Sequence, residues 1–148
     1  MPVSCGHDVT RGPDRAGTPV LTAARFAQGL TLDQYVAQMT VNKERLVSAL
    51  ARARAEPVDA GTLDRLGRPR KIMVITEDWC GTSLLHVPFV ASLLAADPTI
   101  EARVFLRDEN PDVMDQYLKR GLYRSIPVIA LYDELMNELA RFIEQRPG

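Results

Sequence analysis

The sequence is poor in cysteine, in aromatic residues and in long apolar runs. Of its 148 residues, two are cysteines and 6% are aromatic. Two thiols cannot build the disulfide framework that holds many small secreted domains together. No apolar stretch approaches the roughly 20 residues that a membrane-spanning helix requires. With 46% apolar residues, the chain is instead typical of a globular domain with its own hydrophobic core.

The chain also lacks an excess of charge of either sign. Its formal net charge is −1, from 18 basic and 19 acidic residues. Nucleic acids and anionic membranes attract basic surfaces, so this balance argues against both as partners. The N-terminus has no apolar segment of the signal-peptide type, and we therefore expect a cytoplasmic protein.

Residues 1–19 are rich in glycine, proline, aspartate and arginine, which predicts a disordered tail. Cys5, His7 and Asp8 lie close together in this tail, where a metal site is conceivable. A metal site needs about four well-placed ligands and usually a preorganised frame. The sequence therefore favours an unstructured tail, with no metal and no cofactor.

Residues 20–69 carry a helical period of apolar side chains. Thr31 and Gln34 are spaced as a capping box at the start of a first helix, and Asn42 is placed to cap a second. A third, short helix is predicted over residues 62–66. The apolar stripe comprises Leu32, Tyr35, Val36, Met39, Leu46, Val47 and Leu50.

The pattern changes at Ile72 to alternating strands and helices. Strands are predicted over residues 72–76, 101–106 and 127–132, with helices over 81–96 and 110–121 between them. This order predicts a parallel pair of strands joined by a right-handed crossover.

The final stretch, DELMNELARFIEQRPG, fits two structures. Leu135, Leu139, Phe142 and Ile143 suit a helix, whereas Leu139, Arg141 and Ile143 also suit an alternating strand. Periodicity alone does not decide between them.

The segment EDWCGTS, residues 77–83, places a cysteine where a strand passes into a helix. Free backbone N–H groups and the helix dipole there stabilise the thiolate of Cys80 and lower its pKa. Ser83 lies one turn further on, within reach of a hydrogen bond to the sulfur. Gly81 permits a tight turn and Trp79 can shield the sulfur. Position alone leaves an inert buried cysteine equally open.

The surrounding residues are similar to those of the thioredoxin superfamily. Trp79, Cys80 and Gly81 match the start of its W-C-G-x-C signature, and Pro88 matches the proline that kinks its active-site helix. The segment SIPV, residues 125–128, resembles its cis-proline loop. A further match, RDENPD, spans residues 107–112 and resembles the end of the family's next strand. With its helical prefix, the sequence looks most like a bacterial thioredoxin-like family.

The resemblance implies a three-layer α/β fold in which helices cover both faces of a central mixed sheet. The corresponding division of the chain is a tail over residues 1–19, a helical extension over 20–69 and a thioredoxin-like domain over 70–148. In such a fold Cys80 is the nucleophile, and an extended peptide pairs with the backbone beside the proline. The implied substrate-binding residues are Trp79, Gly81, Thr82, Ile126 and Pro127.

Three departures from the family pattern bear on activity. The second, resolving cysteine is replaced by Ser83, so an outside thiol, from glutathione or a partner protein, must release a mixed disulfide. Cys5 is an alternative resolving thiol, but ordering so long a tail costs entropy. Val74 and Val104 replace the buried acid and lysine of the family.

The third departure is the closing helix of the family, for which the sequence has no counterpart. One sheet face then needs cover, either from the N-terminal helices or from a second chain in a homodimer.

Glu77 and Asp78 raise the pKa of the thiol unless they point away from it. His86 falls on a different helix face from Cys80, which disfavours a Cys–His pair.

Two hypotheses follow from the sequence. The first is a monothiol thioredoxin-like protein that forms mixed disulfides with glutathione or protein thiols through Cys80, as a thiol–disulfide oxidoreductase. The alternative is a catalytically silent thioredoxin fold that serves as a binding module.

Overall fold

A computed structural model describes residues 21–144 of the chain. The predicted tail, with Cys5, His7 and Asp8, lies outside these residues. Six α-helices and four strands are found in the described part. In chain order they are α1 (Ala23–Ala27), α2 (Leu32–Gln38), α3 (Lys43–Arg54), α4 (Ala60–Arg65), β1 (Lys71–Thr76), α5 (Ser83–Ala96), β2 (Glu101–Leu106), α6 (Pro111–Met114), β3 (Val128–Tyr132) and β4 (Glu138–Ile143).

The four strands form one mixed sheet in the order β2-β1-β3-β4. β1 and β2 are parallel and are joined through α5, as the sequence predicts. β3 runs antiparallel to β1, and β4 runs antiparallel to β3. The C-terminal end of β1 therefore lies in the middle of the sheet, where it leads directly into the segment that contains Cys80.

Two apolar clusters form the core, one on each face of the sheet. The first core lies under α2, α3 and α5 and includes Leu46, Leu50, Ile72, Val74, Val90 and Leu93. The second core lies on the opposite face and includes Phe26, Met73, Cys80, Phe105, Tyr117 and Ile126. The alternate residues of β1 point to opposite faces, so this strand contributes to both cores and is completely buried from Ile72 onward.

The three predicted N-terminal helices are present as α2, α3 and α4, and they are preceded by a short helix, α1, that was not predicted. Thr31 and Gln34 form a complete capping box at α2, which confirms the sequence-based prediction. Asn42 precedes α3, but its backbone is left-handed, with φ of 62°, and its side chain does not cap the helix. Its amide instead donates to the carbonyl of Asp78, 2.9 Å away.

The prediction of a helix over residues 110–121 is wrong in length. α6 ends at Met114, because the chain then turns to bury Tyr117 in the second core. Arg120 and Gly121 both have positive φ, 54° and 70°, which an α-helix does not accommodate. Lys119 and Tyr123 pair as an isolated bridge across this turn.

The ambiguous C-terminal stretch forms a strand. A turn that contains Met136 at a φ of 65° reverses the chain, and β4 then pairs along β3. Within residues 21–144 no helix follows β4. None of the described helices has the length and hydropathy needed to cross a membrane.

Candidate functional site

The segment that joins β1 to α5 holds Cys80 at the start of the helix. The backbone N–H of Cys80 donates to the carbonyl of Glu77 at 3.2 Å, and the carbonyl of Cys80 accepts from the N–H of Ser83 at 3.2 Å. Thr82, at the N-cap position, provides no side-chain cap to the helix. Cys80 therefore lies just before the N-cap, Thr82, of a helix of 14 residues, and the positive end of such a helix stabilises a nearby thiolate.

Cys80 also lies against the predicted proline loop. Its Sγ is 3.8 Å from the carbonyl oxygen of Ile126, and the Ile126–Pro127 peptide bond is cis. Cys80 is 1% exposed and Ile126 is fully buried. The structure thus brings together two segments that are more than 40 residues apart in the sequence.

In this structure Cys80 is disulfide-bonded, and the described residues contain no free cysteine. The sequence has one other cysteine, Cys5, which lies outside the described residues. Because a disulfide sulfur is not a nucleophile, reduction must precede any attack by Cys80 on a substrate.

Ser83 does not have the partner that the sequence predicts. Its Oγ lies 2.5 Å from Oγ1 of Thr76, the last residue of β1, and not in a hydrogen bond to the sulfur of Cys80. Thr76 is also hydrogen-bonded to the hydroxyl of Tyr35, whose pKa is raised to about 12, mainly by burial. The three hydroxyl groups form a buried chain that links α2, β1 and α5 beneath the cysteine segment.

Asp78 connects the cysteine segment to the N-terminal helices. Its carboxylate accepts hydrogen bonds from the backbone N–H groups of Thr40, at 2.8 Å, and Val41, at 3.3 Å. The Asn42 side chain also donates to the Asp78 carbonyl. The turn between α2 and α3 therefore binds both the side chain and the backbone of Asp78. Sequence reasoning missed the contact, because nothing local in a sequence reveals partners 36 to 38 positions apart.

Glu77 is held by a different part of the chain. Its carboxylate accepts a hydrogen bond of 3.0 Å from the backbone N–H of Asp108. Burial raises the pKa of Glu77, and this hydrogen bond partly opposes the shift. The carboxylates of both Glu77 and Asp78 therefore accept hydrogen bonds from backbone N–H groups of other segments.

Trp79 presents the exposed surface of the site. Its side chain is 39% exposed, and the guanidinium of Arg107 lies 4.9 Å from the centre of its ring. Arg107 itself is buried, pairs with Asp108 at 3.0 Å and donates to the carbonyl of Arg124 at 3.1 Å. It therefore links the indole to the loop segment that precedes the cis-proline. Arg107 begins the segment that matched by resemblance, but nothing in that match indicated this contact.

Gly81 and Thr82 were predicted to help bind substrate, and that role stays a prediction. A Cβ added at Gly81 meets nothing within 4 Å, and its φ is outside the positive range, so the turn does not require glycine. Thr82 is 5% exposed, which leaves little of its side chain available to a substrate.

The replaced charged pair of the family lies within the first core. Val74 and Val104 are opposite each other in the β1–β2 register and are almost completely buried. The rings of His86 and Phe142 are in tilted contact, with their centres 4.8 Å apart. Within residues 21–144 no cluster of three or more His, Cys, Asp and Glu residues is arranged to hold a metal ion.

Comparison with known proteins agrees with this architecture. A family model described as thioredoxin matches residues 29–147, so the chain belongs to the thioredoxin family and has a thioredoxin-like fold. The match begins between α1 and α2 and therefore includes the N-terminal helices α2, α3 and α4. None of the curated proteins matches the chain.

Two crystal structures share the fold. One is a protein of unknown function from Pseudomonas aeruginosa, PA1234, with a TM-score of 0.60 and 22% identity over 85% of this chain and 78% of that one. The other is an HIV epitope-scaffold, with a TM-score of 0.59 and 21% identity over 82% of this chain and 76% of that one. At these identities the likeness concerns the fold alone.

Proposed function

We propose that this protein performs thiol–disulfide exchange through Cys80, forming mixed disulfides with protein thiols or glutathione. The observation that carries the proposal is the position of the Cys80 sulfur. It lies at the N-terminus of α5 and 3.8 Å from the Ile126 carbonyl, next to a cis-proline. A general thioredoxin-type role follows from the family, and the specific reaction is our proposal.

The reaction begins with reduced Cys80. Its thiolate attacks one sulfur of a substrate disulfide, a new S–S bond forms to that sulfur, and the other sulfur leaves as a thiolate. Ser83 cannot complete the second half of the exchange, because a hydroxyl does not displace a thiolate to form a usable S–O bond. Its position beneath the segment, bonded to Thr76, instead fits a role in fixing the start of α5.

The substrate surface comprises Trp79 and the backbone around Ile126 and Pro127. The half-exposed indole offers an apolar, rigid contact for a peptide, and Arg107 behind it limits its movement. An extended peptide beside the cis-proline would pair with the backbone of Ile126 and place its sulfur near Cys80.

Reaction of the reduced protein with glutathione disulfide tests the proposal. In a Cys5→Ser background, intact-mass measurement is expected to show one glutathionyl group, located on Cys80. The matched Cys5→Ser/Cys80→Ser variant is expected to show none. Failure of the first variant to form the adduct, while it remains folded, would contradict the proposal.

A second candidate is a thioredoxin fold that binds partners without turnover. The uncharged Val74–Val104 pair favours it, since the family's buried acid and lysine are missing. Partner capture by the Cys80→Ser variant separates the two functions. Capture that is unchanged by this substitution would support the binding module, whereas loss of capture would support the exchange reaction.

A further inference from the structure

We infer that the arginine-bearing face of α3 selects disulfide substrates that carry carboxylate groups near the reacting sulfur. This inference rests on the proposed function, because it names the class of substrate for the same cysteine. It starts from a groove of about 460 Å³ between α3 and α5, called the α3 groove below, which is within the size range of small-molecule sites. Its lining includes Glu44, Arg45, Ser48, Arg52, Leu84 and Leu85.

Both walls of the α3 groove are connected to the cysteine segment. On the α3 wall, Nη1 of Arg45 donates to Oδ1 of Asn42 at 3.4 Å. The side-chain nitrogen of Asn42 donates to the carbonyl of Asp78 at 2.9 Å, so Arg45 and the cysteine segment bind the same amide group. On the other wall, Leu84 lies in the first turn of α5, four residues after Cys80. A substrate whose sulfur meets Cys80 therefore has the α3 groove next to it.

The α3 groove presents two arginines that are available to a carboxylate. Arg45 and Arg52 are exposed, and within the described part of the chain neither forms an ion pair. Arg54 on the same helix differs, since it lies 4.0 Å from Asp33. A guanidinium binds a carboxylate through two parallel hydrogen bonds. Glu44 offsets one of the two positive charges, which leaves the lining positive overall.

The two arginines counter the charge of the cysteine segment. Glu77 and Asp78 are acidic and precede Cys80 closely, so they repel an acidic substrate, although their carboxylates accept hydrogen bonds from backbone N–H groups. Acidic groups of a substrate are therefore drawn to the α3 side of the segment. Arg45 and Arg52 are seven positions apart, about 10 Å along the helix. We expect Arg45 to bind the carboxylate nearest to the reacting sulfur and Arg52 to bind one further along the substrate.

The exchange step itself stays as proposed above. The Cys80 thiolate attacks one sulfur of the acidic disulfide, the new S–S bond forms, and the other half of the substrate leaves as a thiolate. Arg45 and Arg52 form no bond in this step and determine specificity by binding the carboxylates. Their effect should consequently appear in the ratio of rates for acidic and neutral disulfides, since a change in the reactivity of Cys80 alters both rates alike.

Reaction of the reduced Cys5→Ser protein with two small disulfides tests Arg45. Rates of mixed-disulfide formation are measured with glutathione disulfide, which is acidic, and with bis(2-hydroxyethyl) disulfide, which is neutral. We expect Arg45→Gln to lower the acidic-to-neutral ratio at least threefold, an effect of the size that one exposed ion pair gives. Arg54→Gln removes the same charge from α3 outside the groove and should leave the ratio within twofold.

The outcomes separate this inference from the proposed function. An unchanged ratio in Arg45→Gln, or an equal decrease in Arg54→Gln, would overturn the selection of carboxylates by the α3 groove and leave the exchange reaction intact. No adduct with either disulfide in the folded protein would instead count against the proposed function itself, and with it this inference.

Peptide disulfides test Arg52 and the reach of the groove. One peptide carries aspartates one and four positions after its cysteine, because three extended residues span about 10 Å, and its control carries asparagines instead. We expect Arg45→Gln/Arg52→Gln to lower the ratio of the aspartate to the asparagine rate at least fivefold. A decrease for glutathione disulfide alone would support selection of small acidic thiols through Arg45. No decrease with either class of acidic disulfide would overturn the inference.

Discussion

The cysteine segment and the groove between α5 and β4 are organised in opposite ways. Residues 77–83 are held by hydrogen bonds from three other parts of the chain, namely the α2–α3 turn, Asp108 and Thr76. The groove has a volume of about 410 Å³, and its lining is mostly apolar. On its α5 side, Leu85 is 74% exposed and Phe89 is 43% exposed.

One helix serves both regions. The first residue of α5, Ser83, is tied to Thr76 under the cysteine, while Leu85 and Phe89 line the groove within the next two turns. Polar contacts at the start of the helix fix a reactive group, whereas Leu85 and Phe89 further along it leave apolar area in contact with solvent. The first arrangement suits chemistry and the second suits association. A homodimer through this face stays a prediction.

The largest effect is expected from breaking the contacts of Asp78. The Asp78→Ala variant leaves the N–H groups of Thr40 and Val41 without their acceptor, which should lower the free energy of unfolding by about 1–3 kcal/mol. Alkylation of Cys80 should change in rate as its segment loosens. Urea unfolding and an alkylation time course measure the two effects.

Asp33→Ala is the matched control for Asp78→Ala, since the Asp33 carboxylate lies on α2 with its side chain 95% exposed. Equal stability losses in the two variants would show that Asp78 does not hold the segment.

A smaller effect is expected from the buried hydroxyl chain. The Tyr35→Phe variant removes the hydrogen bond to Thr76 and keeps the ring, so it should cost about 0.5–1.5 kcal/mol of stability. Thermal unfolding measures it, with Tyr123→Phe, at a partly exposed tyrosine, as the control. A Tyr35→Phe protein as stable as the wild type would remove this chain from the account of how α5 is fixed.

Substitutions in the groove should change binding at its surface but leave the free energy of unfolding almost unchanged. Leu85→Ser removes an exposed side chain, so the free energy of unfolding should stay within about 0.5 kcal/mol of the wild type. Binding of a fluorescent apolar dye should nevertheless fall, because the groove loses apolar surface. Leu122→Ser, at a leucine that is 43% exposed and outside the groove, should leave dye binding unchanged. A similar decrease in both variants would show that the groove is not the dye site.

The smallest effect is expected at Glu77. Burial raises its pKa in the folded protein above the ordinary value of 4.5, so the folded state holds the proton more tightly than the unfolded state. This cost of the buried charge is therefore fully present above the folded pKa and is relieved as the pH falls through it towards 4.5. Glu77→Gln should remove that pH dependence and slightly raise stability at neutral pH.

Urea unfolding at pH 7 and pH 5 measures the Glu77 effect, and exposed Glu56→Gln provides the control. Stability of Glu77→Gln that falls below that of the wild type at pH 7 would mean that the carboxylate helps to hold Asp108 more than its burial costs.

Local features of the structure were predictable from the sequence. The Thr31–Gln34 capping box and the bounds of β2 agree with prediction, because each depends on the spacing of neighbouring residues. The position of Cys80 before a helix was predictable for the same reason. Asn42 shows the limit, since it does precede a helix but uses its side chain to bind Asp78 instead of the helix.

Features that depend on tertiary partners were not predictable. Pro111 and Gly121 are placed as at the start and just past the end of a helix, but Tyr117 is buried in the second core and the chain turns after Met114 to place it there. Ser83 is one turn from Cys80 in sequence terms, yet Thr76 on the adjoining strand is its observed partner. In both cases a contact across the fold outweighs the local pattern.

If Cys80 is an activated nucleophile, its rate of alkylation will depend on pH with the pKa of a stabilised thiolate, and this rate can be measured directly. The measurement uses the reduced Cys5→Ser variant, in which Cys80 is the single thiol. We expect the pKa of the Cys80 thiol to lie well below the value of about 8.5 for a free cysteine. A pKa at or above that value would contradict it, because the start of α5 would then confer no activation on the sulfur.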